Sequence, residues 1–121
     1  MQTKSILEIA SDLDRLKTLG QKNGFALSDL SGGTISLSNI GIIGGTTLHP
    51  VLVSTEVCIA ALGKIQSLPR YNEDGELQRK ELMCISFSAD HRVVDGATVA
   101  RFCSRLKAFV ETPGVFLAGL K

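Results

Sequence analysis

Residues 81–114, ELMCISFSADHRVVDGATVARFCSRLKAFVETPG, decide the fold because they predict a strand, a polar turn and a helix in immediate succession. The first ten residues are mostly apolar, with β-branched and aromatic side chains, which is typical of a buried strand. Apolar residues then recur at helical spacing: Val99, Phe102, Leu106 and Phe109. Asp95 is suited to cap this helix, and the Pro-Gly pair at 113–114 to end it. This order predicts an α/β structure in which a helix packs on a sheet.

A second helix is predicted near the start of the chain, within residues 5–20. Its apolar positions form one stripe: Ile6, Ile9, Leu13 and Leu16. Ser5 and Glu8 have the spacing of a capping box, and Gly20 suits the left-handed position that ends a helix.

Between the two helices, three segments are predicted as strands: 34–41, 56–65 and 81–90. LSDLSGG, at 27–33, predicts a short turn before the first of them. The Asp74-Gly75 pair predicts a hairpin that joins the second strand to the third. Because the second and third strands are mostly apolar, we expect a sheet covered on much of both faces.

Composition limits the possible functions. The 121 residues fit one domain, and a net charge of +1 without a basic stripe does not predict nucleic-acid binding. No apolar run approaches the ~20 residues of a membrane span, so no membrane partner is expected. With 44% hydrophobic residues but only three predicted strands and two helices, some apolar surface must meet further protein.

The three cysteines are widely spaced, and each lies in an apolar segment: Cys58, Cys84 and Cys103. They are predicted to be reduced core residues in an intracellular compartment rather than metal ligands or disulfide partners.

The polar turn SADHRVVDG, at 88–96, is the candidate site because polar groups at the ends of α/β strands often carry function. An unperturbed imidazole titrates near pH ~6.5 and a thiol near ~8.5, so His91 is predicted to serve as a base toward a thiol or hydroxyl. A hydrogen-bonded structural histidine is the alternative. No metal site is expected, because His49 is the only other histidine and no acidic cluster accompanies either.

SADHRVVDGATVARF, at 88–102, closely resembles the Asp-His-Arg-x-x-Asp-Gly signature of the dihydrolipoyl acyltransferases, the core components of 2-oxo acid dehydrogenase complexes. The resemblance extends to SGGTISLSNIGIIGGT at 31–46, EVCIAALGKI at 56–65 and LKAFVETPGVFLAGLK at 106–121. LSNIGIIGGT and IQSLPRYNEDGEL are most similar to the branched-chain member. The resemblance implies a chloramphenicol-acetyltransferase-like two-layer α/β sandwich, with a mixed sheet and helices on one face.

By this resemblance, His91 is the general base that removes the thiol proton of coenzyme A or dihydrolipoamide. A serine before Asn-Ile-Gly donates to the developing oxyanion. In an alternating strand Ser36 and Ser38 share a face, so periodicity does not separate them. The family spacing selects Ser38, which lies 53 positions before His91 and directly precedes Asn39. The alternative is that both serines only stabilise a glycine-rich turn.

Asp95 matches the last motif aspartate and is implied as part of the catalytic set. We expect it to orient His91 or Arg92, or to cap the helix, because a carboxylate is a poor base for a thiol. Asp90 and Arg92 are predicted to form a structural ion pair.

The coenzyme A site implied by the resemblance comprises Ser38, Asn39, Ile42, Gly63, Ile65 and Lys17. Gly63 is expected to let the pantetheine arm approach closely, and Lys17 to meet a phosphate. For Ile42 and Ile65, ordinary core packing is the alternative.

The resemblance implies that residues 1–121 are the C-terminal half of a catalytic domain, without lipoyl or peripheral-subunit-binding domains. We expect such a fragment to be inactive alone and its sheet to be incomplete. The family assembles as trimers within a 24-subunit core that binds decarboxylase and dihydrolipoyl dehydrogenase components. Ser38 and His91 of one copy are expected to lie far apart, since each site joins two subunits.

The implied activity is transfer of a branched-chain acyl group between dihydrolipoamide, carried on a separate lipoyl domain, and coenzyme A. The expected location is the mitochondrial matrix, or the cytoplasm in a bacterium. Alternatives are transfer of acetyl or succinyl groups, acetylation of a small hydroxyl acceptor, and a non-catalytic core scaffold. Retention of His91 and Ser38 argues against the scaffold.

Overall fold

The computed structural model describes residues 4–22 and 24–115, which fall in two compact units, Met1–Gly33 and Thr34–Lys121. The last part of the family resemblance, residues 116–121, lies outside the described residues.

The first unit is built on helix α1, Ile6–Gln21, followed by a 3-10 helix, Leu27–Asp29. The predicted capping box is confirmed, since the Glu8 amide donates to Ser5 Oγ at 3.3 Å and the Ser5 amide donates to Glu8 Oε2 at 2.7 Å. The prediction for Gly20 was wrong, because α1 continues past it and the cap is Lys22. At Gly20 a Cβ atom would lie 2.9 Å from Cζ of Phe25, so the glycine makes room for that ring.

The second unit contains five strands and one helix. They are β1 Ile35–Asn39, β2 Cys58–Leu62, β3 Gln66–Tyr71, β4 Leu77–Leu82, β5 Ile85–Ala89 and α2 Gly96–Glu111. A mixed sheet has the order β1-β2-β5, with β1 parallel and β5 antiparallel to β2. The α/β class and the three predicted strands are therefore confirmed.

The hairpin is where the sequence prediction was incomplete. Its turn is correct, because Gly75 has a φ of +82° and donates to the Asn72 carbonyl at 3.1 Å. The turn joins β3 to β4, however, and these two strands pair only with each other in a separate sheet. Both strands are rich in exposed polar residues and lack the apolar alternation that identifies a half-buried strand.

The two faces of the three-stranded sheet differ in chemistry. Paired residues project to the same face, so the register places four serines on one face: Ser36 and Ser88 beside Ile59, and Ser38 and Ser86 beside Ala61. The opposite face carries Phe87 and packs against α2, where the rings of Phe87 and Phe102 meet edge to face at 5.8 Å.

Within the described residues, the buried apolar core is Ile59, Ala60 and Ala61, at the centre of β2. Many large apolar side chains are exposed, as the sequence predicted for a chain that must meet further protein; examples are Leu37, Ile43 and Val51. Cys58 and Cys103 are half-buried, and burial raises the pKa of the Cys58 thiol. Cys84 is exposed, so its placement in the core was wrong. Neither described helix is long and apolar enough to cross a bilayer.

Candidate active site

The turn between β5 and α2 is held by Asp90. Its amide donates to the Val57 carbonyl at 2.9 Å, which continues the pairing of β5 with β2. Its own carbonyl accepts from the amides of Val93 at 3.0 Å and Val94 at 2.9 Å. These bonds bend the chain back on itself directly after the strand, so the turn is built on the rigid centre of the sheet.

The Asp90 carboxylate also binds Arg92, as predicted. Arg92 donates from its amide to Oδ1 at 3.0 Å and from Nη2 to Oδ2 at 2.6 Å. These bonds from the Arg92 side chain and backbone lower the pKa of Asp90 to about 2. His91 therefore lies between two residues that are held together by an ion pair.

His91 is exposed at the apex of this turn. Its ring has no hydrogen-bond or ion-pair partner among residues 4–22 and 24–115. The alternative of a hydrogen-bonded structural histidine therefore has no support in this part of the chain. The geometry presents an exposed histidine side chain at the turn.

Asp95 caps α2, as predicted. Its Oδ1 accepts from the Thr98 amide at 2.6 Å, and the hydrogen bonds from Thr98 lower the pKa of the Asp95 carboxyl. Among the described residues, Asp95 makes no hydrogen bond to His91 or Arg92. The predicted contact that would orient either side chain is therefore not seen within one copy of the chain. The contact that Asp95 makes in the structure is the cap of α2, which begins at Gly96.

The two candidate serines differ in their partners. Ser36 Oγ donates to the Glu56 carboxylate. Ser38 is half-buried, and its hydroxyl has no partner among the described residues. The structure therefore separates two serines that periodicity could not, and Ser38 is the one with an available hydroxyl.

Ser38 and His91 lie toward opposite ends of the sheet. Ser38 pairs with Ala61, whereas the bond between Asp90 and Val57 lies four residues earlier along β2, and β1 and β5 flank β2 on opposite sides. At ~3.3 Å per residue and ~4.8 Å per strand, the Cα atoms of Ser38 and Asp90 are roughly 16 Å apart. A reacting carbonyl needs both groups within ~3 Å, so one copy does not bring them together.

The other predicted coenzyme A residues are placed as follows. Asn39 ends β1 and is exposed, as are Ile42 and Ile65, so core packing of the two isoleucines was wrong for this chain. Lys17 is exposed on α1, in the other compact unit.

Gly63 is buried, and a Cβ atom there would lie 2.7 Å from the Thr46 carbonyl oxygen and 3.1 Å from that of Cys84. The close approach at this glycine is therefore made by the chain's own backbone.

Sequence reasoning missed two features of the serine-bearing face. Ser88 donates to the Pro50 carbonyl at 2.7 Å, and Ser86 accepts from the Leu48 amide at 3.4 Å, so the segment 48–50 is tied to this face. Glu56 was also missed, because a single acidic residue before an apolar strand carries no signal of a partner. The register of serines on two strands, β1 and β5, could have revealed the shared polar face. Groups of metal-binding side chains are not found in the described ranges.

The fold corresponds to that of solved acyltransferase cores. A dihydrolipoamide acetyltransferase from Azotobacter vinelandii matches 95% of this chain and 47% of its own, with a TM-score of 0.88 and 30% identity. Work on that protein concerns the catalytic role of a serine, a histidine and an asparagine four positions after the histidine. The cubic core of the pyruvate dehydrogenase multienzyme complex matches with a TM-score of 0.88, 29% identity and the same two coverages.

The chain belongs to the family of 2-oxoacid dehydrogenase acyltransferase catalytic domains, whose model matches residues 1–118. It is 50% identical, over all 121 residues, to the lipoamide acyltransferase component of the mitochondrial branched-chain alpha-keto acid dehydrogenase complex from Bos taurus. The chain spans 25% of that relative's length and about half of the solved structures it matches.

Proposed function

We propose that this chain provides the C-terminal part of an acyltransferase catalytic domain that moves a branched-chain acyl group between dihydrolipoamide and coenzyme A. The observation that carries the proposal is the arrangement of His91 and Ser38 in a member of this family. His91 is exposed on a turn fixed by the sheet, and the Ser38 hydroxyl, at the sheet's other end, has no hydrogen-bond partner among residues 4–22 and 24–115. Base and oxyanion donor are the two groups that thioester exchange requires.

In the proposed reaction, neutral His91 accepts the proton of the attacking thiol. The thiolate forms a carbon–sulfur bond to the thioester carbonyl, whose oxygen becomes an oxyanion. When the intermediate collapses, the original carbon–sulfur bond breaks, and the departing thiolate takes the proton back from the imidazolium. The base is regenerated, and no oxidant or reductant is consumed.

Ser38 is the proposed donor to the oxyanion. As negative charge develops on the carbonyl oxygen, the Ser38 hydroxyl can donate a hydrogen bond to it. No existing hydrogen bond of Ser38 is seen among the described residues that would have to break first. Removing one such donor typically lowers kcat by ~10²–10³, or about 3–4 kcal/mol. Ser36, already bonded to Glu56, is not available for this role without breaking that bond.

Because Ser38 and His91 are too far apart in one copy, we propose that each site forms where two copies meet. A closed ring of three copies satisfies this requirement with every site equivalent. The many exposed apolar side chains supply surface for such contacts and for the rest of a catalytic domain. A cubic assembly of 24 copies, binding the decarboxylase and dihydrolipoyl dehydrogenase components, extends this proposal.

Coenzyme A is the proposed acyl acceptor, and the dihydrolipoyl group is carried on a separate domain. Asn39, Ile42 and Ile65 are exposed and can contact the pantetheine arm through backbone and apolar groups. Gly63 contributes by shaping the backbone beside Ile65, and Lys17 is a proposed phosphate contact. Asp95 contributes by capping α2 behind the His91 turn.

Branched-chain specificity and a mitochondrial location are proposed from the 50% identity to the bovine component, against 30% to the acetyltransferase. The test is to supply the full-length protein carrying this sequence with isobutyryl, acetyl and succinyl donors. We expect the highest kcat/KM with isobutyryl. A preference for acetyl or succinyl would reject the branched-chain assignment, and absence of all three activities would favour the non-catalytic scaffold.

A further inference from the structure

Glu56 occupies a junction that joins β1, β2 and the turn after β5. Its half-buried carboxylate accepts the hydrogen bond from Ser36 Oγ on β1. Its neighbour Val57 donates to the Thr34 carbonyl at 3.2 Å and accepts from the Asp90 amide at 2.9 Å. Glu56 is thus attached directly to the backbone that fixes the base of the His91 turn.

Strand β1 depends on few contacts for its orientation. It is five residues long and, among the described strands, pairs only with β2. Just beyond its C-terminal end, Gly41 approaches the Gly63 carbonyl so closely that a Cβ atom there would clash. Backbone pairing fixes the register of β1, whereas the twist of a strand varies with its surroundings.

The Ser36 hydroxyl restricts that twist. Ser36 and Ser38 project from the same face of β1, two residues apart, so a rotation that moves one side chain moves the other. A bond that holds Ser36 is therefore expected to limit the directions in which Ser38 can point. Ser38 itself has no partner in the described chain to hold it.

We propose that Glu56 is a positioning residue for acyl transfer, acting through Ser36 to aim the Ser38 hydroxyl at the developing oxyanion. This inference rests on the proposed function, since it assigns Glu56 to the site that contains Ser38. Misplacing a catalytic group by ~1 Å can cost on the order of 10²-fold in rate. Loss of the bond is therefore expected to lower kcat while substrate binding is kept.

The test compares Glu56→Ala, Glu56→Gln and Ser36→Ala in the full-length assembled protein, each with and without Ser38→Ala. Glu56→Ala is expected to lower kcat by about 10-fold or more and to leave the KM for coenzyme A within about twofold. Glu56→Gln keeps an oxygen acceptor for Ser36 and should recover most of the rate. Glu73→Ala, an exposed acidic position in the hairpin turn, is the matched control and should have no effect.

The decisive comparison is the double-variant cycle. If Glu56 acts through Ser38, Glu56→Ala should cause no further loss once Ser38 is alanine. Equal losses in both backgrounds, or unchanged kcat in the single variant, would overturn the proposal. If Glu56→Ala fails to assemble, Ser36→Ala removes the donor instead and must show the same loss. If Ser38→Ala alone has no effect, the oxyanion assignment itself fails, which is a separate outcome.

Discussion

Two inactive variants should restore each other if the site joins two copies. If Ser38 and His91 are the catalytic groups, the roughly 16 Å between the backbone at Ser38 and at Asp90 puts the two groups of one copy in different sites. Ser38→Ala alone should lower kcat by ~10²–10³, and His91→Ala by ~10²–10⁴. In a mixed assembly, however, the intact serine of one variant can meet the intact histidine of the other.

The size of the recovery follows from random assembly. With equal amounts of the two variants, about a quarter of the interfaces join an intact Ser38 to an intact His91, provided every interface is equivalent. Co-expressed and purified assemblies should therefore show about a quarter of wild-type activity per site, at least ~25-fold above either variant alone.

Isobutyryl transfer by assemblies of verified mixed composition is the assay for this recovery. Replacing the Ser38→Ala partner with a variant that carries both substitutions is the control and should give no recovery. Mixed assemblies no more active than the separate variants would refute the inference that the site is shared.

Three further outcomes concern stability. Gly63→Ala should lower the free energy of unfolding by about 1–3 kcal/mol in urea titration, because the added Cβ would meet backbone oxygen atoms. Gly96→Ala is the control and should not lower the free energy of unfolding in this way, because a Cβ there would meet no atom within 4 Å. Asp90→Asn should be less stable than wild type at pH 7, because the pKa of Asp90 falls from an ordinary 3.8 to about 2 on folding. This difference in urea midpoint should persist down to about pH 4 and disappear as the pH falls through about 2; an equal difference at all pH values would contradict it. Asp95→Ala should lower Tm through loss of the α2 cap while Asp95→Asn retains it, and equal Tm values would show that the Thr98 bond contributes nothing.

Short-range patterns in the sequence were sufficient to predict the structural elements around His91. The apolar spacing of residues 99–109 and the capping position of Asp95 act within one or two helical turns, so α2 could be predicted. The Asp90–Arg92 pair likewise joins residues two positions apart. Family resemblance was needed to favour a catalytic role for His91, because its position in the turn and its ordinary chemistry left a structural histidine as the alternative.

Features that depend on distant contacts could not be predicted. Ser36 and Ser38 are equivalent by periodicity, and in the structure the bond from Ser36 to Glu56, which comes from another segment, distinguishes them. Gly20 leaves room for the Phe25 ring, and Gly63 lies against the carbonyl groups of residues 46 and 84. Neither contact could be predicted from the neighbouring sequence. The strands β3 and β4 were missed because their residues are mostly exposed, so pairing, rather than burial, defines them.

The proposed reaction depends most directly on His91 acting as the base that activates a thiol. The measurement is kcat for isobutyryl transfer between coenzyme A and dihydrolipoamide by the assembled full-length protein, comparing His91→Ala with wild type. A loss of ~10²–10⁴-fold with little change in the KM for coenzyme A is predicted. An unchanged kcat in the correctly assembled variant would contradict the account.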